Sequence, residues 1–244
     1  MSELEERDRR VLDNIAQAAT RAGRQPDEVT LVAVTKTWPV EMLSAAYEVG
    51  MRHFGENRAE ELAEKRPFFD AKLGEDNDIT WHFIGTLQSR KTGIIADYAD
   101  MFHALERVKI ANRLSRQLGE NGRSLPVLLE VNVSAEASKA GFSAGAWETD
   151  ATQQADLRKV VETINNVAGL QLGGLMTMAP WQAPEAEIRQ IFRRTRALGR
   201  WLETAVTGVN LSQLSMGMTD DYQIAIEEGA THVRVGRALF GSRQ

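Results

Sequence analysis

Short apolar runs alternate with longer amphipathic stretches along this chain. Residues 29–35 are rich in β-branched side chains and apolar on both faces, which is typical of a buried strand in a parallel sheet. This first strand, over residues 30–36, is followed by seven more, predicted near 53–56, 79–85, 101–105, 125–133, 170–178, 212–217 and 232–236. Helical patterns lie between most of them, so the order of elements predicts a parallel sheet.

Three helices have clear amphipathic patterns. Residues 3–22 place Val11, Leu12, Ile15 and Ala18 at helical spacing, and Gly23 lies where a C-terminal cap is expected. The stretch from Arg107 to Glu120 repeats the pattern and ends at Asn121-Gly122. In residues 184–204 an apolar face is predicted opposite a charged one; the apolar face consists of Ile188, Ile191, Phe192, Thr195, Leu198, Trp201 and Leu202, and the charged face of Arg189, Arg193, Arg194 and Arg200.

Eight alternating units favour closure into a barrel, preceded here by one extra helix. We therefore expect a single (β/α)8 domain of the TIM-barrel type spanning residues 1–244. The rival is an open, doubly wound sheet, although the Gly-x-Gly-x-x-Gly signature of its nucleotide-binding members is absent.

Composition and charge exclude several classes of function. A net charge of −5 argues against a general nucleic-acid binder, and the absence of cysteine excludes disulfides and thiolate chemistry. The N-terminal residues are acidic, and no apolar run approaches the roughly 20 residues that cross a bilayer. We expect a cytoplasmic protein that binds no membrane and no nucleic acid, and a monomer.

Lys36 is the first candidate for chemistry, because it ends the most apolar predicted strand and functional groups of barrels lie at the carboxyl ends of strands. An amine in apolar surroundings is favoured in the neutral form that adds to aldehydes. The alternative is a structural role, with the amine paired to a carboxylate such as Glu56.

Two turns at the ends of strands seven and eight suggest a phosphate site. Ser215-Met216-Gly217 follows strand seven, and Gly236 follows strand eight at the start of a short helical segment. Phosphate sites recur at these two positions in barrels. Either turn alone is weak support, but the two together favour an anion site over ordinary strand-to-helix connections.

Other polar and sulfur-containing side chains receive a less specific interpretation. Glu130 and Asn132 alternate onto one face of strand five, and no carboxylate partner for Glu130 can be identified. His53, His82, His103 and His232 all lie in apolar strands, where packed, hydrogen-bonded histidines are more common than metal ligands. The four methionines Met176, Met178, Met216 and Met218 are expected to fill the barrel.

Seven segments together resemble the pyridoxal phosphate homeostasis proteins, the YggS/PROSC family. The resemblance runs from about residue 29 to 242 and is carried by Val-Ala-Val-Thr before Lys36, His53-Phe-Gly-Glu-Asn57, Trp81-His-Phe-Ile-Gly85, Asn132-Val-Ser-Ala-Glu-Ala-Ser-Lys-Ala-Gly-Phe142, Gly174-Leu-Met-Thr-Met-Ala-Pro180, Ser215-Met-Gly-Met218 and Val233-Arg-Val-Gly236.

The resemblance implies the N-terminal barrel of alanine racemase, fold type III of the pyridoxal 5′-phosphate (PLP) proteins. It also implies PLP as cofactor, bound as a Schiff base on Lys36, with Arg234 facing the pyridine nitrogen and Asn57 near the ring. Ser215, Met216, Gly217 and Gly236 would surround the phosphate. Arg237 stands where a small hydroxyl residue is usual, and it could pair with the phosphate or turn to solvent.

The family implies a PLP carrier or buffer without established catalysis, with PLP-dependent apo-enzymes as recipients. Arginine stays protonated, so a ring nitrogen facing Arg234 would remain unprotonated and the ring would be a poor electron sink. The main alternative is an amino-acid racemase, which needs a second base, and Tyr47, Tyr98 and Tyr222 lie in or beside predicted helices. A class I aldolase and a pure interaction module using the arginines of 189–200 are weaker readings.

Overall fold

The computed structural model describes residues 2–134 and 140–241. Its strands are β1 (Thr30–Val34), β2 (His53–Glu56), β3 (Thr80–Phe83), β4 (Met101–Leu105), β5 (Leu125–Asn132), β6 (Phe142–Ser143), β7 (Leu170–Met176), β8 (Gln213–Ser215) and β9 (His232–Val235). All of them except β6 form a ring of parallel pairs, which β4 and β5 close. The barrel is confirmed, and the open sheet is wrong.

Helices surround this barrel. They are α1 (Glu3–Arg21), α2 (Val40–Glu48), α3 (Ala59–Leu73), α4 (Thr92–Tyr98), α5 (Val108–Asn121), α6 (Ala151–Asn165), α7 (Glu185–Ala205), α8 (Tyr222–Glu227) and α9 (Arg237–Phe240), with 3-10 turns at Pro26–Glu28 and Ser89–Lys91. The predicted α1, α5 and α7 agree with these bounds to within a residue or two. Gly23 and Gly122 have φ of 68° and 63°, as expected for residues that end helices.

One strand was not predicted. β6 has only two residues and pairs with the end of β5, where Val131 lies opposite Phe142. Such a short segment has no measurable alternation of polar and apolar side chains, so nothing in its sequence distinguishes it from a loop. Residues 135–139, which belong to the motif at 132–142, lie outside the described residues.

The outer core lies between the barrel and its helices. Phe54 of β2 and Trp81 of β3 meet Phe69 of α3, with ring centroids 5.6–6.3 Å apart. All three side chains are almost completely buried. Truncating any one of them to alanine should cost about 3–5 kcal/mol, which is usual for large aromatic residues in cores.

Helix α1 packs on the outside of the barrel near its last units. Its N-terminus is closed by a capping box between Ser2 and Glu5, and the Asn14 amide donates a hydrogen bond to the Tyr222 hydroxyl at 3.0 Å. Val11, Ile15 and Ala18 are buried as predicted, whereas Leu12 is 48% exposed. Leu12 was placed on the wrong side because it follows Val11 directly, and adjacent helical residues point about 100° apart.

The predicted apolar face of α7 is buried against the barrel, and Trp201 is half-buried against Trp147. The opposite arginines form internal ion pairs. Arg189 and Arg193 both bind Glu228, and Arg194 binds Glu148. These three side chains are therefore engaged within the fold, which weakens the reading of this face as an interaction surface.

The pairing of β7 with β8 depends on a glycine. A Cβ atom on Gly174 would lie 1.8 Å from the backbone oxygen of Gln213, closer than any two such atoms can approach. Only glycine allows the two backbones to meet in this register. This contact fixes β8, whose last residue is Ser215, next to the strand that carries Met176.

Candidate functional site

A cavity of about 630 Å³ opens at the carboxyl ends of the barrel strands. Its volume is in the usual range for small-molecule sites, and its position is where barrels carry function. Lys36, Asn57, Arg234, Gly236 and Arg237 lie on its wall. Five of the eight residues predicted for the site are thus brought together around one space.

Lys36 lies two residues beyond the end of β1, in a tight turn. The next residue, Thr37, has φ of 68°, an unusual backbone conformation for a β-branched residue. The turn is held by the Glu61 carboxylate, which accepts a hydrogen bond from the Thr37 backbone N–H. Strained backbone of this kind is often found at functional sites, where it fixes the direction of a side chain.

The Glu56 carboxylate, which the sequence suggested as an ion-pair partner for Lys36, forms its ion pair with a different lysine. The ammonium of Lys65, from α3, donates to Glu56 Oε1 at 2.7 Å and to the backbone oxygen of Thr35 at 2.9 Å. The Thr35 hydroxyl donates to the same carboxylate oxygen at 2.6 Å. Burial raises the pKa of the Glu56 carboxyl above its ordinary value. This buried ion pair lies beneath the turn that presents Lys36.

Arg234 is the buried cation of the cavity wall, with 4% exposure. Its guanidinium donates to Ser215 Oγ at 2.6 Å and to the backbone oxygen of Thr177 at 3.1 Å. Burial lowers the pKa of Arg234 to about 10, so the group remains protonated at neutral pH. These two fixed acceptors hold the guanidinium at one place in the wall.

Glu130 of β5 also lines the cavity and is 3% exposed. Its Oε2 atom is buried without a hydrogen-bond partner in this structure. Burial raises the pKa of Glu130 to about 7; neighbouring Glu106 adds to this effect, and Arg234 opposes it. From the sequence, Glu130 is predicted to share a face with Asn132 but has no assigned role, because its position on a cavity wall depends on barrel closure.

Asn57 provides a second unpartnered atom. Its Oδ1 is buried on the wall of the cavity and makes no hydrogen bond in this structure. Buried polar atoms are normally satisfied. Two such atoms around one cavity, on Asn57 and Glu130, therefore indicate polar groups available to a ligand.

The remaining predicted residues lie behind the wall. Ser215 is fully buried beneath the Arg234 guanidinium, and Met216 is 1% exposed. Gly217 turns the chain with φ of 93°, and a Cβ there would be 2.5 Å from that of Ala225, so only glycine fits. After this turn, Met218, Thr219 and Asp220 lie on the cavity wall.

The rim of the cavity is unexpectedly apolar. Met178 and Met218 are 37% and 38% exposed and line its mouth together with Trp181, which is 76% exposed. The expectation that four methionines fill the barrel holds for Met176 and Met216, which are buried, and is wrong for the other two. Arg237 reaches the same rim and forms an ion pair with Asp220.

The described part of the chain contains neither a metal-binding cluster nor a membrane-spanning helix. Within residues 2–134 and 140–241, no group of three or more histidine, aspartate or glutamate side chains could hold a metal ion. In the same part of the chain, every helix is too short or too polar to cross a membrane.

The chain matches the family described as "Alanine racemase, N-terminal domain" over residues 9–244. It is 41% identical to the pyridoxal phosphate homeostasis protein of Pseudomonas aeruginosa over 100% of this chain and 97% of that protein. It is 38% identical to the protein of the same name from Escherichia coli K12, over 96% and 94% of the two chains. The chain therefore belongs to the pyridoxal phosphate homeostasis protein family.

The structure is similar to that of PipY from Synechococcus elongatus, which was determined with PLP bound. The two chains are 36% identical, the TM-score is 0.77, and the match covers 93% of this chain and 100% of PipY. The similarity thus extends over the whole PipY barrel, including the strand ends that surround the cavity here.

Proposed function

We propose that this chain, as a member of that family, binds PLP covalently through Lys36 and acts in PLP homeostasis as a carrier or buffer. The observation that supports this most strongly is the meeting of Lys36, Arg234 and Gly236 on one cavity of about 630 Å³. These residues come from β1 and β9, two neighbouring strands, and from the turns that follow them.

The cavity fits the chemical groups of PLP. The aldehyde of the cofactor condenses with a primary amine, and Lys36 is the lysine among the described residues of the cavity wall. Arg234 would donate to the pyridine nitrogen, and the unpartnered Asn57 Oδ1 would accept from a polar group of the ring. The turns at Gly217 and Gly236 would receive the phosphate, with Ser215 and Met216 supporting them from below.

Arg237 has a separate place in this proposal. Its side chain is 57% exposed and is neutralised by Asp220 at the cavity rim. Release of this exposed pair would allow the guanidinium to reach a phosphate at Gly236. Because exposed ion pairs contribute little, the exchange of one anionic partner for another would be nearly neutral in free energy.

A carrier is favoured over the racemase alternative by two features. A protonated arginine opposite the ring nitrogen keeps that nitrogen unprotonated, which disfavours electron withdrawal by the ring. Racemisation also needs a second base, but Tyr47, Tyr98 and Tyr222 all lie in helices and none of them lines the cavity. We propose that the chain delivers PLP to apo-enzymes and catalyses no reaction on amino acids.

The proposal is tested by loading the purified protein with PLP, removing the excess and recording the visible absorbance. A Lys36→Met variant should lack the absorbance of a Schiff base and keep no PLP after borohydride reduction and denaturation, whereas Lys91→Met, which changes a lysine outside this cavity, should load normally. Incubation of the loaded protein with single amino-acid enantiomers should give no inversion. A borohydride-stable label on Lys36→Met would refute the attachment site, and measurable inversion would favour the racemase.

A further inference from the structure

All four histidines of the chain meet inside the barrel. They come from β2, β3, β4 and β9, and the ring centroids of neighbouring pairs are 5.0–6.1 Å apart. Histidines on strands around a barrel can approach one another in this way only in its interior. The cluster lies on the amino-terminal side of the cavity, since His53 and His232 begin their strands.

Three of these histidines form a hydrogen-bonded series that leads to Arg234. His53 Nδ1 lies 3.0 Å from His82 Nε2, and His82 Nδ1 lies 2.8 Å from His103 Nε2. His103 Nδ1 lies 2.8 Å from Ser215 Oγ, the atom that accepts from Arg234. The series therefore runs from the half-buried His53 at the amino-terminal mouth to the cavity at the other end.

Among the described residues, only one order of protons in this series satisfies every buried donor. Arginine has no acceptor, so Ser215 Oγ accepts from Arg234. Among the described residues, His103 Nδ1 is the other partner of that oxygen and the remaining acceptor for its hydroxyl proton. His103 then carries its proton on Nε2 and donates to His82 Nδ1. By the same reasoning, His82 donates from Nε2 to His53 Nδ1.

The reverse order leaves a buried donor unsatisfied. If His103 donated from Nδ1, Ser215 Oγ would accept twice and its own hydroxyl proton would have no acceptor. An unsatisfied buried donor is unfavourable, so the first order is preferred. Arg234 thus determines the tautomers of three histidines, and they in turn fix the hydroxyl of Ser215.

The series is also electrically neutral. Burial holds the pKa values of His82 and His103 well below their ordinary range and also lowers the pKa of His53. It lowers the pKa of His232 to about 4. The Arg234 guanidinium further disfavours an imidazolium at His103 and His232, and a charge on any one ring would disfavour a charge on its neighbours. Neutral rings with one donor and one acceptor each are what the series requires.

We propose that Ser215, His103, His82 and His53 act as positioning residues for Arg234, as one directed relay of Nε2–H histidines below the cofactor cavity. The expected effect of these residues on PLP binding rests on the proposed function, because Arg234 is the residue proposed to face the pyridine nitrogen. Among the described residues, the Thr177 backbone oxygen is the other acceptor of the guanidinium. The relay therefore supplies one of the two anchors that keep Arg234 directed at the cavity.

The proton order is tested on the cofactor-free protein by ¹⁵N NMR of the imidazole rings. The chain has only four histidines, so single substitutions can assign every ring. Between pH 6.5 and 8 we expect His53, His82 and His103 to be neutral and protonated on Nε2. A proton on Nδ1 of His103, or an imidazolium at His82 or His103, would overturn the proposed relay.

The positioning role is tested with a pair of variants at one site. His103→Asn keeps an acceptor near Ser215 but has a smaller side chain, whereas His103→Leu roughly keeps the volume of histidine and has no acceptor. Loss of one neutral hydrogen bond corresponds to about a tenfold change, so His103→Leu should bind PLP about tenfold more weakly, and His103→Asn within about threefold of wild type. Thermal unfolding measured beside binding shows whether both variants are folded.

The two variants separate positioning from packing. Equal weakening of binding in both, or no weakening in either, would contradict the positioning role. If His103→Leu does not fold, the NMR measurement on the wild-type chain still decides the proton order. Failure of the wild-type protein to bind PLP would refute the proposed function alone, because the proton order is measured without the cofactor.

Discussion

Replacing Glu130 with glutamine should make the cofactor-free protein more stable at alkaline pH. The carboxyl is buried on the cavity wall with Oε2 unpartnered, and burial raises its pKa to about 7. Ionisation of Glu130 in the folded protein therefore carries a cost that the unfolded chain does not have. Glutamine has nearly the same shape and stays neutral at every pH.

The size and sign of the effect follow from proton linkage. Between the unfolded pKa of 4.5 and the folded value of about 7, the folded state binds more protons than the unfolded state, so stability falls as pH rises. Each pKa unit corresponds to about 1.4 kcal/mol, so the full cost above pH 7 is about 3 kcal/mol. Below pH 4.5 the cost vanishes, because the carboxyl is protonated in both states.

The assay is urea unfolding of wild type and Glu130→Gln at a series of pH values from 5 to 8. The difference in unfolding free energy between the two should change by about 2–3 kcal/mol across this range in favour of the variant. Glu120→Gln, at an exposed position of α5, should show no such trend. A pH-independent difference for Glu130→Gln would refute the assignment of a raised pKa to this carboxyl.

Two further substitutions test the frame around the cavity. Gly174→Ala should prevent folding or cost more than about 3 kcal/mol, because the new Cβ would lie 1.8 Å from the backbone oxygen of Gln213. Gly119→Ala, in α5 with open space around the new Cβ, should instead stabilise the protein by about 0.5–1 kcal/mol. Thermal unfolding compares the two variants with wild type. Lys65→Met should cost about 1–2 kcal/mol at pH 8, because the Glu56 carboxyl, whose pKa is already about 7 beside Lys65, must take up a proton to stay buried once that partner is lost. Adding Glu56→Gln to Lys65→Met should restore most of that loss, and an equally unstable double variant would contradict this explanation.

The barrel could be predicted from sequence because its signals are local. Each of its eight strands is a short apolar run, and the polar residues that end these runs mark the face where the cavity forms. Leu12 shows the limit of this approach, since the pattern gives the period of a helix but not the exact side that packs. β6 shows another, because two residues are too few to have a period.

The site was predictable only in part because its contacts join distant segments. Lys36 could be selected as a candidate from the strand that precedes it, and it lies on the cavity wall next to a residue with unusual backbone conformation. The neutral partners of Arg234 could not be predicted from the sequence, because Ser215 and Thr177 come next to Arg234 only through the pairing of β7, β8 and β9. The histidine cluster was equally hidden, because each ring alone is an ordinary core residue and only barrel closure brings them together.

Borohydride reduction followed by tryptic peptide mapping shows whether PLP is attached to Lys36. Borohydride converts a Schiff base into a stable secondary amine, and a modified lysine resists trypsin. The account predicts a single labelled peptide spanning residues 25–52, uncleaved at Lys36, and no label in Lys36→Met. A label on Lys65, Lys91 or any other lysine, or no stable label at all, would contradict it.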